Sequence, residues 1–501
     1  MQKRTLLNLS RKWRGRVREN AARSTARLRI PPADSRPPLR VSWVVEPLVA
    51  AWTLTLLLCA TNLRAADTPP TGTNAPAWLR QPLALADCLD RALQQNGAIL
   101  KGKSDLEAAY GVVVQTRAIA IPKLRANGSY SANDPGTVEK FPFAGFQPNL
   151  PDQKWSANIQ VVQSIYEGGR ISSALRTARL TKEQALLQYQ TVIADTLLQV
   201  RVAYYDVLLA AQQIVVQEAS VNLLRQELDD QNRRFEAGTV PRFNVLRAEV
   251  EVANARPRLI RAKNAHRISK NNLTNLLGYH VPAEIWEDIP LQLTGKLEAE
   301  PYEIELPLAM AQALEKRTEL AALRKAESLR QEEILHAKAA AKPSLQLFAG
   351  YGSRSSSFSE DLTRELSGWF TGAQASWDLF DGFQTKGKVD QARALHRKAQ
   401  FDLDDNVRRI ELEVRTAYSY FIEARELLES QKKVQEQAEE ALRLATARSE
   451  AGTGTQLDVL NAQTALTEAR TTQIQALRDY AVARARLERA IGQNITPAPN
   501  R

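Results

Sequence analysis

The residues of this chain whose types suit chemistry are few, and their spacing argues against a reaction. His266, His280, His336 and His396 are scattered, and none has a second histidine one helical turn away to share a metal. There is no glycine-rich phosphate loop and no nucleophile elbow, because Gly452-Thr453-Gly454 reads as a turn. Of the two cysteines, Cys59 lies in the leader described below. Cys88 is then left alone, unable to form an intramolecular disulfide or a thiolate cluster. Asp458, the third residue after Thr455, has the spacing of a helix capping box. No catalysis, cofactor or metal site is expected.

The elements that carry these residues come twice. Tyr166-Glu167-Gly168-Gly169 returns as Phe380-Asp381-Gly382-Phe383, and Val200-Arg201-Val202-Ala203-Tyr204 as Val414-Arg415-Thr416-Ala417-Tyr418. Glu236-Ala237-Gly238-Thr239 returns as Glu450-Ala451-Gly452-Thr453, and Leu277-Gly278 as Ile491-Gly492, each pair 214 positions apart. A gapless register held over so long a stretch marks two copies of one structural unit, and a pseudo-symmetric object rather than one asymmetric pocket.

The net charge of +11 on 501 residues suggests nucleic acid only until it is located. Residues 1–65 hold 13 Lys/Arg against 3 Asp/Glu, so the body of the chain is nearly neutral and binding to a phosphate backbone has no support. That basic stretch precedes an apolar run, Leu48 to Ala60, with small residues at Ala65 and Ala66. This is the order of an export signal, cleaved near residue 65, and the run is shorter than the ~20 residues a membrane-spanning helix needs. No later segment has 18 consecutive apolar residues. An exported protein of this kind is either water-soluble or a β-barrel.

Residues 66–82 read as a flexible tether rich in Pro, Thr and Gly. Repeat 1 is set at 83–280, an inter-repeat linker at 281–305, repeat 2 at 306–493 and a tail at 494–501. Each repeat runs helix, strand, strand, long helix, turn and returning helix, with strands near 124–132, 154–166, 344–352 and 367–379. Trp155, Ala157, Ile159 and Val161 alternate with Ser156, Asn158 and Gln160. Trp369, Thr371, Ala373, Ala375 and Trp377 alternate with Gly372, Gln374, Ser376 and Asp378. Strands of about 10 residues with one apolar face, flanked by Trp, fit a barrel with lipid outside and water inside. Four strands cannot close such a barrel, since outer-membrane barrels begin at about 8, and open edges in lipid are prohibitive. The chain must therefore oligomerise, and three copies would give about twelve strands.

The long helices, about Arg170 to Glu236 and Thr385 to Glu450, contain no Pro and would each reach roughly 100 Å. Such a helix needs lateral partners. A seam spaced 3,4,3,4 provides them: Val407, Ile410, Val414, Ala417, Phe421, Ala424, Leu428, and 214 earlier Ile193, Thr196, Val200, Ala203, Val207, Ala210, Ile214. Returning helices, about Pro241 to Leu277 and Thr455 to Ile491, are expected to pair antiparallel with them. Gly238 and Gly452 occupy the position past a helix end that requires a left-handed backbone, and Pro241 suits the first turn of the next helix.

With the doubled unit, the aromatic-acid-Gly element after the second strand, Ala203-Tyr204-Tyr205-Asp206, and the turn Ser449 to Thr453 followed by Leu457-Asp458-Val459-Leu460-Asn461-Ala462-Gln463, the chain resembles the TolC-like outer-membrane efflux proteins over residues 83–493. The resemblance implies a mainly α fold with a membrane β-barrel. In it, a homotrimer builds a 12-stranded β-barrel in outer-membrane lipid above a periplasmic α-helical coiled-coil barrel. It also implies a passive exit duct of a tripartite efflux or type I secretion system, served by a periplasmic adaptor and an inner-membrane pump. By position, the tip turns 238–241 and 452–455, with Gly238, Thr239, Gly452, Thr453 and Gly454, would dock the adaptor. Asn244, Asp458 and Asn461 would line the closable aperture, and Gly168, Gly169 and Gly382 would turn the barrel into the helices. At the places where one member of the family locks its tip with a Tyr and an Arg, this chain has Ser449 and Gly454. The alternative reading is a periplasmic coiled-coil scaffold without a barrel, which would have no use for Trp-flanked alternating strands.

Overall fold

The computed structural model describes residues 79, 81–134, 152–280, 289–356 and 361–493. The export signal, most of the tether and the tail lie outside them. The elements are β1 (Pro82–Leu83), α1 (Leu85–Gln95), α2 (Gly97–Arg117), β2 (Lys123–Ala132), β3 (Gln153–Glu167), α3 (Arg170–Glu236) and α4 (Arg242–Leu276). There follow β4 (Gln292–Leu293), α5 (Leu306–Lys316), α6 (Thr318–Ala339), β5 (Ser344–Ser355), β6 (Glu365–Ser376), α7 (Gln384–Glu450) and α8 (Gln456–Ile491).

Helices α3 and α7 are 67 residues each, about 100 Å of continuous helix. Their seams are buried as heptad spacing dictates. On α3, Thr196, Val200, Ala203, Val207 and Ala210 are covered, Val200 completely; on α7, Ile410, Val414, Phe421 and Ala424 are. Two cores result. The first joins α3 to Cys88, Leu89 and Ala92 of α1 and Leu273 and Leu277 at the end of α4. The second joins α7 to Ala309 and Ala313 of α5, Leu320 of α6 and Tyr480, Leu487 and Ile491 near the end of α8. The small seam residues let the backbones approach closely, and Phe421 fills the space that remains, meeting Tyr480 at 5.5 Å and Tyr302 at 5.8 Å between ring centres. One stretch of α3 is apolar enough, by length and composition, to cross a membrane. No run of 18 wholly apolar residues marked it in the sequence, and its buried side chains supply the first core.

The break between α1 and α2 is local chemistry. Asn96 is extended (φ −64°, ψ 128°), its Oδ1 accepts from Ala98 N–H at 2.8 Å, and its Nδ2 donates to the Leu276 carbonyl at 2.7 Å. Asn at an N-cap satisfies donors that a new helix would otherwise leave free. Arg317 is likewise extended between α5 and α6 (φ −66°, ψ 122°) but provides no side-chain cap, its guanidinium reaching Glu413 at 2.6 Å instead.

Two sequence expectations, those for Leu79 and Pro241, need correction. Leu79, placed in the tether, is fully buried in the first core. The inter-repeat linker packs against the helices where it is described. Ile289 and Leu291 are buried in the first core, and β4 pairs in parallel with β1. Gly295 N–H donates to the Tyr204 hydroxyl at 3.1 Å, and the Tyr480 hydroxyl donates to the Glu300 carbonyl at 2.7 Å. The reason is apolar area: Ile289 and Leu291 are buried against the helices and Tyr302 and Ile304 partly so, and fully burying an Ile or Leu is worth on the order of 1.5–3 kcal/mol. Pro241, placed in the first turn of α4, is instead its extended N-cap, with φ −76° and ψ 155°.

The remaining strands form a four-stranded antiparallel sheet in the order β2-β3-β5-β6. The central pairing, β3 with β5, joins the two repeats. Among the described residues the outer edges of β2 and β6 have no strand beside them.

Candidate functional site: a sheet wall and two hairpin tips

Register divides the sheet into two unlike faces. Leu124, Val161, Ala349 and Thr371 stand in one cross-strand row, and Ala126, Ile159, Tyr351 and Trp369 in the next. These apolar residues are open, Trp369 at 80% and Leu124 at 72% of full exposure. Burying such a face in water-free surroundings is favourable, and leaving it in water is not. The opposite face carries Arg125, Gln160, Gly350 and Phe370 in one row and Asn127, Asn158, Gly352 and Gly368 in the next. Side chains pair across it, Asn127 Nδ2 donating to Asn158 Oδ1 at 3.0 Å and Ser129 meeting Ser156 at 2.7 Å. The second face is not polar throughout, because register also puts Val162, Phe348, Leu366 and Phe370 on it. Phe348 and Phe370 lie on it, 6.3 Å apart, and a Cβ at Gly372 or Gly350 would come within 2.6 or 2.7 Å of their rings. Those glycines let the rings lie flat on the sheet. The Phe-Gly spacing was the available sequence signal.

The turns from sheet to long helix differ between repeats. Gly168 and Gly169 both have positive φ (63° and 98°), and a Cβ on Gly168 would lie 2.5 Å from the Ala339 carbonyl oxygen. Gly382 (φ 64°) has open space around it, and the position matching Gly169 is Phe383, which holds φ 67°. A non-glycine residue there carries roughly 1–2 kcal/mol of strain. Glu167, at the end of β3, is paired with Arg170 at 2.6 Å.

At the far ends of the long helices, both tips are Schellman turns. Gly238 N–H donates to the Phe235 carbonyl and Thr239 N–H to the Arg234 carbonyl, both at 2.9 Å; Gly452 and Thr453 bond Ser449 and Arg448 at 3.2 and 2.9 Å. Gly238 and Gly452 each have φ 74°. Gly454 N–H also donates to the Arg448 carbonyl at 2.9 Å. Thr455 and Asp458 complete a capping box: Thr455 N–H donates to Asp458 Oδ2 at 3.0 Å and Asp458 N–H to Thr455 Oγ1 at 3.3 Å. The hydrogen bonds from Thr455, first its hydroxyl and then its N–H, hold the Asp458 carboxyl below the usual range. The two tips touch, since Gln456 Nε2 donates to the Asn244 carbonyl at 3.0 Å. Behind them Leu460 packs with Val221, Leu224, Val252 and Ala255. Asn244 is half-buried, while Asp458 and Asn461 are exposed and do not meet each other in any hydrogen bond. Phe243 and Leu457, which occupy matching positions of the two repeats, are also open at the tips, Phe243 at 67%. Neither was singled out from sequence, although the 214-residue offset pairs them.

Long antiparallel helical hairpins capped by a sheet with one lipid-compatible face define a membrane channel whose helices project into an aqueous space. A profile of the outer membrane efflux protein family matches residues 88–279 and 309–493, and the chain belongs to that family, in the outer membrane with its helices in the periplasm. It is 26% identical over 416 residues to the alkaline protease secretion protein AprF of Pseudomonas aeruginosa, covering 81% of this chain and 83% of that one. It is 23% identical over 433 residues to the outer membrane protein TolC of Escherichia coli, covering 83% of each. The outer-membrane channel OprN has the same fold, with a TM-score of 0.69 at 18% identity over 82% of this chain and 90% of that one.

Proposed function

We propose that this protein is the passive exit duct of a tripartite efflux or type I secretion system. Three copies set their sheets edge to edge, β6 of one beside β2 of the next, to close a 12-stranded barrel. The observation that carries this reading is the open sheet itself, with an exposed apolar face and, among the described residues, two unpaired edges. Neither feature survives in lipid unless neighbouring chains complete the wall. Passage through such a duct makes and breaks no bond, so no catalytic group is called for.

The hairpin tips are the docking surface for a periplasmic adaptor, which joins the duct to an inner-membrane pump. Gly238, Thr239, Gly452, Thr453 and Gly454 shape the tip turns. Exposed Phe243 and Leu457 offer the adaptor apolar anchors, and Asn244, Asp458 and Asn461 line the aperture. Opening requires the hairpins to move between two packings, and the Gln456–Asn244 bond is one contact available to change.

The test is fractionation. The mature protein is expected in detergent-extracted outer membranes, migrating as a trimer by native mass measurement. Recovery as a soluble monomer without detergent would overturn the reading.

A further inference from the structure

The charges that stand on the polar face of the sheet have one sign. Following the register, that face carries Lys123 and Arg125 on β2, Lys154 on β3 and Arg354 on β5. All four side chains are exposed. Among the described residues none of the four has a carboxylate partner. The only carboxylate that register puts on this face, Glu167 at the helix end of β3, is mostly covered and already bound to Arg170 at 2.6 Å. The rest of the face is uncharged. Gly350, Gly352, Gly368 and Gly372 contribute no side chain, Phe348 and Phe370 lie flat, and the amides of Asn127 and Asn158 bond each other.

The cations are placed at both ends of the wall. Lys123 and Arg125 open β2 beside the helices. Lys154 and Arg354 lie at the other end, where Ser156 is the register partner of Arg354 and Lys154 is two residues away on the same face. Diagonal neighbours of this kind are about 7–8 Å apart. Neutral amides and glycines fill the space between the two levels.

We propose that the β-channel favours anions, with Lys123, Arg125, Lys154 and Arg354 as the residues that set this preference, so that solutes carrying negative charge pass its wall most easily. The proposal rests on the trimeric duct reading, in which this face surrounds the lumen and each level of charge is repeated three times. Unpaired charges of one sign on a narrow wall with low-dielectric surroundings raise the local concentration of counter-ions. The effect must weaken with salt, since the screening length falls from about 10 Å at 0.1 M to about 3 Å at 1 M.

The experiment uses the full-length purified protein in planar lipid bilayers under a KCl gradient, with chloride and potassium as the probes. The expected chloride-to-potassium permeability ratio is above one at low salt and moves toward one at high salt. Combining Lys123→Gln, Arg125→Gln, Lys154→Gln and Arg354→Gln should lower the ratio on the order of threefold, and the corresponding four Glu substitutions should invert it. If a fourfold variant does not assemble, Arg354→Glu alone must still shift the ratio in the same direction. Conducting channels that prefer potassium, or variants that conduct with the parental ratio, overturn the anion preference and leave the duct standing. A parent protein that stays water-soluble and never enters the bilayer overturns the duct reading, and the preference with it.

Discussion

Gly452 and Gly387 show how differently one residue type can serve. Gly452 has φ 74° and ends α7, whereas Gly387 lies in the first turn of the same helix with an ordinary backbone; both have open space where a Cβ would go. Space is therefore not what separates them, and backbone conformation is. Gly452→Val is expected to destabilise the tip by about 1–2 kcal/mol through the left-handed backbone alone. Gly387→Ala is expected to be neutral or to stabilise by up to about 1 kcal/mol, as a helical position gains a better helix former. Thermal midpoints of the assembled variants decide this, and equal sensitivity at the two sites would refute the assignment. Cys88 gives a second expectation at this scale. It is fully buried, and burial, with Asp87 nearby, pushes its thiol up to about 12. Thiolate is the reactive form, so Cys88 should resist maleimide labelling at neutral pH until the protein is unfolded.

Elements are held by their ends as much as by their seams. The start of α8 depends on Thr455 and Asp458, which satisfy each other's backbone N–H groups. Thr455→Ala should cost about 1 kcal/mol, read as faster amide exchange over 455–460, and Thr455→Ser should restore most of the protection. The carboxyl of Asp458 is depressed when folded, so its contribution is complete above its unfolded pKa and is lost as pH falls through the lower, folded one. Exchange at the tip should therefore quicken only below the ordinary carboxylate range; a change centred near neutrality would point to another group. The first tip has no such box, because Pro241 caps α4 without a side-chain acceptor. The two tips consequently differ in how firmly their helices begin, although their Schellman turns are alike.

At the scale of the whole molecule, the repeats are joined by β3 with β5 in the sheet and by α3 with both α6 and α8 among the helices. Arg201 of α3 reaches Glu488 of α8 at 2.8 Å, with side chains only 14% and 6% exposed, and Arg484 holds the same carboxylate at 3.0 Å. Arg489 adds contacts to Asp195 and Glu319. Burial tends to raise the Glu319 carboxyl, but Arg489 and Arg317 outweigh it and the net direction is down. Removing one partner of a buried pair leaves a charge uncompensated, typically at about 3–5 kcal/mol. Because Arg484 remains, Arg201→Ala should fall at or below the low end of that range. The assay is the thermal midpoint of the assembled protein, and an unchanged midpoint would show that the pair contributes nothing to cohesion between repeats.

Much of this architecture was written in spacing. The 214-residue offset, the 3,4 ladder through Val414 and Phe421, and the period-two alternation around Ile159 and Trp369 are local patterns, and the fold class follows from them. What spacing does not encode is which distant surface an irregular segment will find. Leu79, Ile289 and Leu291 sit in stretches without periodicity, so their place in the first core became apparent only when α1, α3 and α4 supplied the matching apolar walls. The flat-lying Phe348 and Phe370, the contact of Gln456 with Asn244, and the run of like charge from Lys123 to Arg354 likewise depend on strand register and helix docking. Sequence by itself determined the repeated elements and their buried stripes, because those are set by backbone period. Tertiary structure alone decided which side chains from different elements share a face, because that depends on strand register and on packing between separate segments of the chain.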